Sequence, residues 1–457
     1  MTPTPGTGGT VGAFQFSNAF VGPFTNAGKI RYASMAVDSQ GNAVVAGAFS
    51  GQVDFGGGVI LSRGGVDIFI AKYSPAGAHL WSKGIGAAAD DWAKAVAVDS
   101  TGNIFITSWS GSGSVDFGGG PISIVSAYLA KYSPSGGYLW ARQLGTNIGE
   151  GTALQADSAG NIIVSGYFSG SSDFGGGPIA SVVNGDLFLA KYSPTGGYVW
   201  ALRAGGSTVN GNAAAQVAID HSNNVVLTGY TTGAGSMAGV SFPGFGGHDI
   251  FLAKYSSAGS PLWARSFGGG GDDRGKGIAI DSLDAIVMTG YVTGDVSVGG
   301  GALVGGGIFL SKTSPSGSFL WSKNFPPQSS AYASLENGNA VAVDAQDNIV
   351  ITGGVNGDIN LGGGTLPPAP GDYNNETYVA KYQATGAHVC SRRFANLIPA
   401  STPGFNAGRS IDADLSGNVI AFGLFSDSIN LGGGALTNPG ACGGSCGYGG
   451  YLVKFGP

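Results

Sequence analysis

"LAKYSPTGGYVWALR", from Leu189 to Arg203, decides the fold because the chain repeats it almost unchanged. Close copies recur along the chain, beginning at Ile70, Leu129, Leu252 and Leu310. A last copy, "LVKFGP", stops at Pro457 before it reaches a Trp. Each full copy holds an apolar run, a Ser-Pro-x-Gly type of turn and a second run that ends in Trp. Since proline fixes φ at the first central position of a turn, the phrase predicts two antiparallel strands, C and D, joined tightly.

A second phrase, of the type "AVDSTGNIFITS", occurs seven times, about 60 to 70 residues apart, a propeller-sized period. Its aspartates are Asp38, Asp99, Asp157, Asp220, Asp281, Asp344 and Asp414. The Asp side chain caps its own backbone and the following Gly or Asn tolerates positive φ, so the phrase predicts a tight turn between strands A and B. Four antiparallel strands repeated seven times predict an all-β fold, a seven-bladed β-propeller with one sheet per blade.

The incomplete last copy indicates how the ring closes. "AFQFSNAF" (Ala13 to Phe20) has no strand A, B or C before it and aligns with "FLWSKNF", which places Phe16 on Trp321. We therefore expect the N-terminal strand to supply strand D of the seventh blade, which removes open sheet edges. Residues 1–12 are expected to form a flexible leader, and residues 13–457 a single propeller. The blades are predicted near 33–84, 94–143, 153–203, 215–266, 277–324, 340–393, and 409–455 plus 13–20.

The repeat resembles the SBBP family of bacterial β-propeller repeats. The resemblance rests on the "AVDSxGNIxVTG" and "DIFLAKYSPxGxxLWAR" runs and on "GGDDRGKGIAID" from Gly270 to Asp281. It covers nearly the whole chain from about Ala13, and a more distant similarity connects the repeat to NHL-type propellers. The resemblance implies the propeller fold and an exported or cell-surface protein. It implies no reaction, because the family has no shared catalytic motif.

Composition restricts the class of partner. Only 11% of the 457 residues are charged, far below the roughly 25% of ordinary soluble domains, and 86 are glycine. The net charge is −6 and no run of Lys or Arg occurs, so nucleic acid is not an expected partner. No run of about 18 apolar residues occurs, so no transmembrane segment is expected. The composition favours an exported bacterial protein, located outside the cell, on its surface or in the periplasm.

Three cysteines lead to two expectations. Cys390 stands where other repeats carry Trp and is expected to be a small buried apolar residue. Cys442 and Cys446 flank "GGS", and we expect a local disulfide there if the compartment is oxidising.

Variable sequence is concentrated in the D–A and B–C connections, so a ligand site is expected on the face that carries them. The candidate ligand-binding residues, all ring-bearing, are Trp92, Trp109, Phe242, Phe245, His248, Tyr332, Tyr373, Phe405 and Tyr448. Such rings suit stacking on sugars, and the alternative is that they cover loop backbone.

Acidic pairs in Gly-rich loops raise the question of a metal. Asp90 with Asp91, and Asp272 with Asp273, are candidate calcium ligands, although calcium needs six to eight oxygens. The alternative is that they are solvated acids or loop caps, so calcium is left open as a cofactor. The "VDFGGG" type of run in the B–C connections is expected to be a hairpin turn, with ion binding as the alternative.

Seven lysines recur on strand C: Lys72, Lys131, Lys191, Lys254, Lys312, Lys381 and Lys454. Their spacing predicts repeated contacts with the turn aspartates or with carbonyls, and a cationic ring that binds an anion is the alternative.

Catalytic motifs are sparse. No Gly-x-Ser-x-Gly elbow is found in its proper context, and glutamate occurs only at Glu150, Glu336 and Glu376. The sequence therefore favours a non-enzymatic binding or scaffold module for a protein or glycan ligand. Two alternatives stay open: a carbohydrate-active enzyme that uses Asp residues of the same face, and a structural subunit of a surface assembly or fibre.

Overall fold

The structure is a computed structural model that describes residues 12–21, 29–111, 113–124, 126–182, 185–205, 216–237, 239–298, 300–327, 337–368, 375–394, 397, 406–438 and 448–457. These residues form strands and turns and contain no helix. The chain begins with β1 (Phe14–Phe20), and seven groups of strands follow it.

The first four groups share one order: two long strands, a short hairpin and two more long strands. Blade 1 has β2 (Lys29–Val37), β3 (Ala43–Ser50), β4 (Gln52–Asp54), β5 (Val59–Leu61), β6 (Asp67–Tyr73) and β7 (His79–Ile85). Blade 2 has β8 (Asp91–Val98), β9 (Ile104–Ser110), β10 (Gly113–Asp116), β11 (Pro121–Ile124), β12 (Ala127–Tyr132) and β13 (Tyr138–Gln143). Blade 3 has β14 (Ile148–Ala156), β15 (Ile162–Phe168), β16 (Ser171–Asp173), β17 (Pro178–Ala180), β18 (Asp186–Tyr192) and β19 (Tyr198–Arg203). Blade 4 has β20 (Gln216–Ile219), β21 (Val225–Thr232), β22 (Gly235–Met237), β23 (Val240–Phe242), β24 (His248–Tyr255) and β25 (Pro261–Phe267).

The last three groups keep this order, but the seventh ends one strand early. Blade 5 has β26 (Arg274–Ile280), β27 (Ile286–Val292), β28 (Val296–Ser297), β29 (Ala302–Leu303), β30 (Gly307–Thr313) and β31 (Phe319–Phe325). Blade 6 has β32 (Asn337–Val343), β33 (Ile349–Val355), β34 (Ile359–Asn360), β35 (Thr365–Leu366), β36 (Glu376–Tyr382) and β37 (His388–Phe394). Blade 7 has β38 (Ala407–Ala413), β39 (Val419–Phe425), β40 (Ser428–Asn430), β41 (Ala435–Thr437) and β42 (Gly449–Phe455).

Each blade is a four-stranded antiparallel sheet whose long strands are A, B, C and D from the inside outward. Strand A of one blade packs beside strand A of the next, and β38 packs beside β2 to complete the ring. The described structure is therefore the predicted seven-bladed β-propeller.

The core lies between the blades. Seven clusters of buried apolar side chains each join residues of two neighbouring sheets. Strand C is buried along its whole length, as in β6, because it has a sheet packed against each face. Each blade is thus stabilised mainly by its neighbours.

β1 completes blade 7, as the sequence predicted. It pairs antiparallel with β42 and places Phe16 opposite Lys454, the position at which Trp140 faces Lys131 in blade 2. The Phe16 ring packs on Gly77 as the Trp81 ring packs on Gly136.

The recurrent lysines of strand C pair with the turn aspartates in all seven blades, which confirms the predicted contacts. The Nζ-to-carboxylate distances run from 2.6 Å for Lys312–Asp281 to 3.4 Å for Lys131–Asp99, and the side chains are buried. Burial alone raises the pKa of the Asp157 carboxyl, but hydrogen bonds from Lys191 and Asn161 outweigh it and the pKa is lowered.

Six of these lysines also reach the neighbouring blade. Lys72 Nζ and Trp81 Nε1 both donate to the Pro134 carbonyl, at 3.3 and 3.2 Å, in the C–D turn of blade 2. Blades 2, 3, 4 and 5 repeat this double contact, and Lys454 of blade 7 donates to the Pro75 carbonyl at 3.1 Å. We call the Asp, the Lys and the acceptor carbonyl the turn latch.

Blade 6 explains the unusual Cys390. Its neighbour, blade 7, has no continuous C–D turn, because β42 and β1 belong to opposite ends of the chain. A Trp at this position would therefore lack the turn carbonyl that the other Trp residues reach. Cys390 is 3% exposed and free, in agreement with the expected small buried residue.

The triple glycines form hairpin turns that fold against strand D. Asp54 Oδ1 accepts hydrogen bonds from the Gly56 and Gly58 amides, at 2.7 and 3.1 Å, and Gly57 lies flat against the His79 ring. A Cβ on Gly57 would lie 2.2 Å from His79 Cε1, so the close approach requires glycine. The turn chemistry accounts for the motif, as the sequence predicted.

Candidate functional site

The seven innermost strands enclose a central channel of about 1070 Å³. This volume is at the upper end of the roughly 300 to 1,000 Å³ that ligand pockets usually have. Its walls come mainly from strand A of every blade, so the side chains of these strands determine the chemistry of the channel.

A repeated β-bulge supplies such side chains. In β2, β8, β14, β26, β32 and β38 one residue falls between two consecutive pairs with strand B. A bulge leaves the extra residue unpaired and re-aims its side chain. The bulged residues that line the channel are Tyr32, Lys94, Thr152, Lys276, Asn339 and Arg409. We call the end of the channel that holds these six residues the channel mouth.

The channel is cationic although the protein is acidic overall. The described cations that line it are Arg31, Lys94, Arg274, Lys276 and Arg409. Only two described carboxylates line it, Glu150 and Asp412, and Glu150 forms an ion pair with Lys94. In a chain of net charge −6, this concentration of cations creates a local attraction for anions.

Lys276 lies in the most strongly cationic part of the mouth. Its Nζ donates to Asn337 Oδ1 at 2.9 Å and to Asn339 Oδ1 at 3.3 Å, and it lies 5.2 Å from the centre of the Tyr291 ring. Burial, then the charges of Arg409 and Arg274, lower the pKa of the Lys276 ammonium to about 8. The amide oxygens orient the ammonium but do not neutralise it.

Arg409 occupies the next cationic position around the ring. Its side chain is exposed and lines the channel. Desolvation by the surrounding protein lowers the pKa of the guanidinium, and the nearby Tyr448 and Tyr32 act in the opposite direction. Arginine keeps its charge at physiological pH despite this shift, so the mouth holds a permanent cation here.

Tyr32 gives the mouth an aromatic surface. Its ring stacks on Trp92 with centroids 4.9 Å apart, Lys94 Nζ lies 4.8 Å from its centre, and it is 46% exposed. Its φ of 42° is in the left-handed region, which is rare for a bulky residue and costs about 1–3 kcal/mol. Such strain is typical of ligand clamps and other functional positions.

A polar group borders the mouth on the side of blades 4 and 5. His248 Nδ1 lies 2.7 Å from Asp272 Oδ1 and 3.3 Å from an Arg274 nitrogen, and its ring meets the Tyr230 ring edge-on. The hydrogen bond from His248 lowers the pKa of the Asp272 carboxyl despite a small opposing effect of burial. The Arg274 guanidinium covers the Tyr230 ring at 4.5 Å.

The structure brings together only part of the predicted ligand set. Tyr448 lines the channel, Trp92 and Trp109 stand behind Tyr32, and His248 borders the mouth. Phe245 instead lines a separate outer cavity with Arg265 and Phe319. The backbone of Phe242 belongs to β23, but its side chain is outside the described residues, as are Tyr332, Tyr373 and Phe405.

The predicted calcium ligands act as loop caps in the described structure. Asp91 is buried and its two oxygens accept from the Ala87 amide and the Ser110 hydroxyl, while Asp90 Oδ1 accepts from the Val66 amide. Asp273 is also buried, and burial raises the pKa of its carboxyl although two backbone amides bind it. Among the described residues no three His, Cys, Asp or Glu side chains are grouped as metal ligands. Cys442 and Cys446 lie outside the described part of the chain.

The cations of the mouth were missed because they are dispersed in the sequence. A fixed position in the repeat could have revealed them. Five positions before the turn Asp, the other two repeats carry an apolar residue, but five repeats carry a polar or charged one: Lys94, Thr152, Lys276, Asn339 and Arg409. The aromatic residue after "SG" or "TG" on strand B, as at Tyr167, Tyr230 and Tyr291, is a second signal.

Comparison with known proteins agrees with the fold. Residues 80–114 match the SBBP β-propeller repeat. An uncharacterized WD repeat-containing protein of Acanthamoeba polyphaga mimivirus is 24% identical, over 58% of this chain and 25% of that protein. The chain thus spans about a quarter of that relative. In the described part of the chain, no helix is long and apolar enough to cross a membrane.

Solved structures that resemble the chain are distant. A protein of unknown function from Dyadobacter fermentans has a TM-score of 0.38 at 9% identity and covers 96% of this chain and 99% of its own. The GH93 α-L-arabinofuranosidase of Fusarium graminearum in complex with arabinobiose has a TM-score of 0.41 at 11% identity, over 98% and 97%. At these TM-scores the likeness carries no functional argument. The chain is therefore a seven-bladed propeller in which residues 80–114 match an SBBP repeat.

Proposed function

We propose that this propeller is a non-enzymatic binding module and that its ligand enters the channel mouth as an anion. The observation that carries the proposal is the excess of channel cations in a protein of net charge −6. Among the described residues, five cations and two carboxylates line the channel, and an anionic ligand would form charge-assisted hydrogen bonds with these cations.

The arrangement favours binding over catalysis by aspartate. Asp91 and Asp273 are fully buried, so neither can contact a substrate without rearrangement of its loop. The two described carboxylates that line the channel are Glu150, which pairs with Lys94, and Asp412, which accepts hydrogen bonds from the Val37 and Ala413 amides. A hydrolase would require a free acid and a free base in one place.

We also propose that the ligand is met outside a bacterial cell, on the cell surface or in the periplasm, and that it is a glycan or an acidic protein segment. The low content of charged residues supports this location, together with the type of repeat.

The test is thermal unfolding of the full chain with tripolyphosphate or a galacturonic acid tetramer, against sodium chloride at equal ionic strength. A native-state ligand raises the midpoint, and we expect a rise with at least one probe. Arg409→Gln and Lys276→Met should remove the rise. Arg203→Gln, the same loss of a guanidinium on the outer strand β19, should retain it.

Three results would count against the proposal. An equal rise of the unfolding midpoint in Arg409→Gln would show that the probe binds elsewhere. If no anionic probe raised the midpoint, the proposal that the ligand is an anion would be wrong. Release of soluble sugar from an acidic polysaccharide, lost in Arg409→Gln, would instead show an enzyme.

A further inference from the structure

Five of the six bulged residues that line the channel form an ordered arc around the mouth. From blade 5 through blade 7 and on to blade 2, the order is Lys276, Asn339, Arg409, Tyr32 and Lys94. A cation therefore stands on each side of the exposed tyrosine, and an amide stands between the two cations of blades 5 and 7.

Contacts connect these positions into one surface. Lys276 Nζ binds Asn339 Oδ1 at 3.3 Å, and Asn339 Nδ2 donates to the Gly408 carbonyl, next to Arg409, at 2.9 Å. On the other side, Lys94 Nζ lies 4.8 Å from the Tyr32 ring centre. The arc is held by hydrogen bonds and ring contacts, so its order is fixed before a ligand arrives.

This order matches a specific kind of ligand. We infer that the ligand is an acidic oligosaccharide, with one sugar ring stacked on Tyr32 and a carboxylate or sulfate group held between Arg409 and Lys276. The inference rests on the proposed anion-binding function and adds the chemical class of the ligand.

The Tyr32 ring is the feature of the arc that favours a sugar over a simple anion. The apolar face of a pyranose ring packs on an exposed aromatic ring, while its hydroxyls need partners that donate and accept. Tyr32 offers such a ring, 46% exposed and backed by Trp92, and the polar side chains of Asn339 and Thr152 also line the channel. An inorganic anion would contact the cations but could not stack on the Tyr32 ring.

Shape and charge disfavour a nucleic acid at the same place. Nucleic-acid binding needs a basic stripe along the backbone path, but the described cations of the channel are recessed among the inner strands of an acidic molecule. A short flexible chain of acidic sugars can enter the mouth end-on.

The test is isothermal titration of the full chain with four probes. They are a galacturonic acid tetramer, the same tetramer with its carboxylates reduced to alcohols, a sulfated galactose tetramer and tripolyphosphate. We expect one acidic tetramer to bind at least about tenfold more tightly than the reduced tetramer, the fold-change of a lost charge-assisted hydrogen bond. The carboxylated and sulfated probes decide which acid group is preferred.

Matched variants locate the two parts of the site. Arg409→Gln should weaken the acidic tetramer by about tenfold or more and leave the reduced tetramer unaffected. Tyr32→Ser should weaken both tetramers, whereas Tyr32→Trp, which keeps the ring at the same backbone position, should retain affinity. Each variant is first checked for an unchanged unfolding midpoint, and Lys276→Met replaces Arg409→Gln if the latter is destabilised.

The two levels of the proposal fail in different ways. If tripolyphosphate binds through Arg409 and no tetramer binds, the anion site stands and the sugar inference is overturned. If Tyr32→Ser and Tyr32→Trp bind the acidic tetramer equally, stacking is also overturned. If no probe binds with dependence on Arg409, both proposals fail.

Discussion

At the scale of single residues, Asp412 stands out as a carboxylate in the wall of the channel. It accepts hydrogen bonds from the Val37 amide of the next blade, at 3.0 Å, and from the Ala413 amide. Burial nevertheless raises its pKa from 3.8 to about 6, and the nearby Asp414 acts in the same direction. In the six other blades the corresponding position, two before the turn Asp, holds alanine or glutamine.

This raised pKa predicts a pH-dependent stability. Between pH 4 and 6 the folded chain keeps the Asp412 proton and the unfolded chain has lost it, so the unfolding free energy falls as pH rises. We expect Asp412→Asn to remove this fall and to be about 1–3 kcal/mol more stable than the wild type at pH 7. Urea unfolding of both chains at pH 4, 5, 6 and 7 measures the difference.

The titration of the turn aspartates does not obscure the fall in unfolding free energy expected between pH 4 and 6. Their folded pKa is lowered, as for Asp157 and Asp220, so their contribution is present above the ordinary pKa of 3.8 and is lost below it. If the two stability curves ran parallel from pH 4 to 7, the environment of Asp412 would be different from the one described.

At the scale of the element, the glycine hairpin can be tested by one methyl group. Gly57→Ala places a Cβ against the His79 ring, although φ at Gly57 needs no glycine, and should cost about 1–3 kcal/mol. The double variant Gly57→Ala/His79→Ala should be no less stable than His79→Ala alone, because the clash is gone. Gly270→Ala is the matched control, since nothing lies within 4 Å of its added Cβ. Guanidinium unfolding gives the four stabilities, and an additive double variant would contradict the packing.

The turn latch makes a second element-scale prediction. Lys191→Met leaves Asp157 buried without its cation and removes the hydrogen bond that Lys191 donates to the Ser257 carbonyl of the next blade. We therefore expect the free energy of unfolding to fall by about 3–5 kcal/mol. Lys381→Met should cost about 1 kcal/mol less. Lys381 pairs with Asp344 at 3.0 Å, but within the described residues it donates to no carbonyl of the next blade. Thermal unfolding compares the two variants, and equal losses would mean that the inter-blade bond contributes nothing.

Local chemistry explains why these elements could be predicted and the mouth could not. The Asp99 turn needs only its own neighbours, since Asp99 Oδ1 accepts from the amides of Thr101 and Asn103. Lys276 and Arg409, by contrast, belong to strands A of blades 5 and 7, and the charge of Arg409 acts on Lys276 across blade 6. The sequence shows no cluster of cations, because these residues come together only when the blades form the ring.

At the scale of the whole molecule, ring closure predicts an asymmetric response to truncation. Deletion of residues 1–20 removes β1 and exposes the edge of β42. It also removes Phe20, which is 1% exposed, from the apolar cluster between blades 7 and 1. We expect a loss of more than about 5 kcal/mol together with aggregation, because large buried rings are lost and a strand edge is opened. Deletion of residues 1–10 should leave the unfolding midpoint within a few degrees, as it removes no described contact. Scanning calorimetry with light scattering decides between the two, and similar midpoints would contradict closure by β1.

The repetition of one phrase made the whole architecture predictable, but it carries no information about the ligand. Seven copies of one phrase determine the ring, and the alignment of Phe16 with Trp321 determined its closure. The predicted aromatic residues Trp92, Trp109 and Tyr448 do gather near the channel, but Tyr32 was overlooked because the sequence does not show the bulge in β2 at which it lies.

The pairing of β1 with β42 also sets an order in time. β1 leaves the ribosome before every other described strand, yet its partner is made last, roughly 20 to 90 seconds later at 5–20 residues per second. During that wait β1 is an unpaired strand that could associate with other nascent chains. At the position where the strands D of six blades carry an exposed Leu or Val, such as Leu139, β1 carries Gln15, and Ser17 and Asn18 follow. These polar residues equip the earliest strand to remain soluble until the final one emerges.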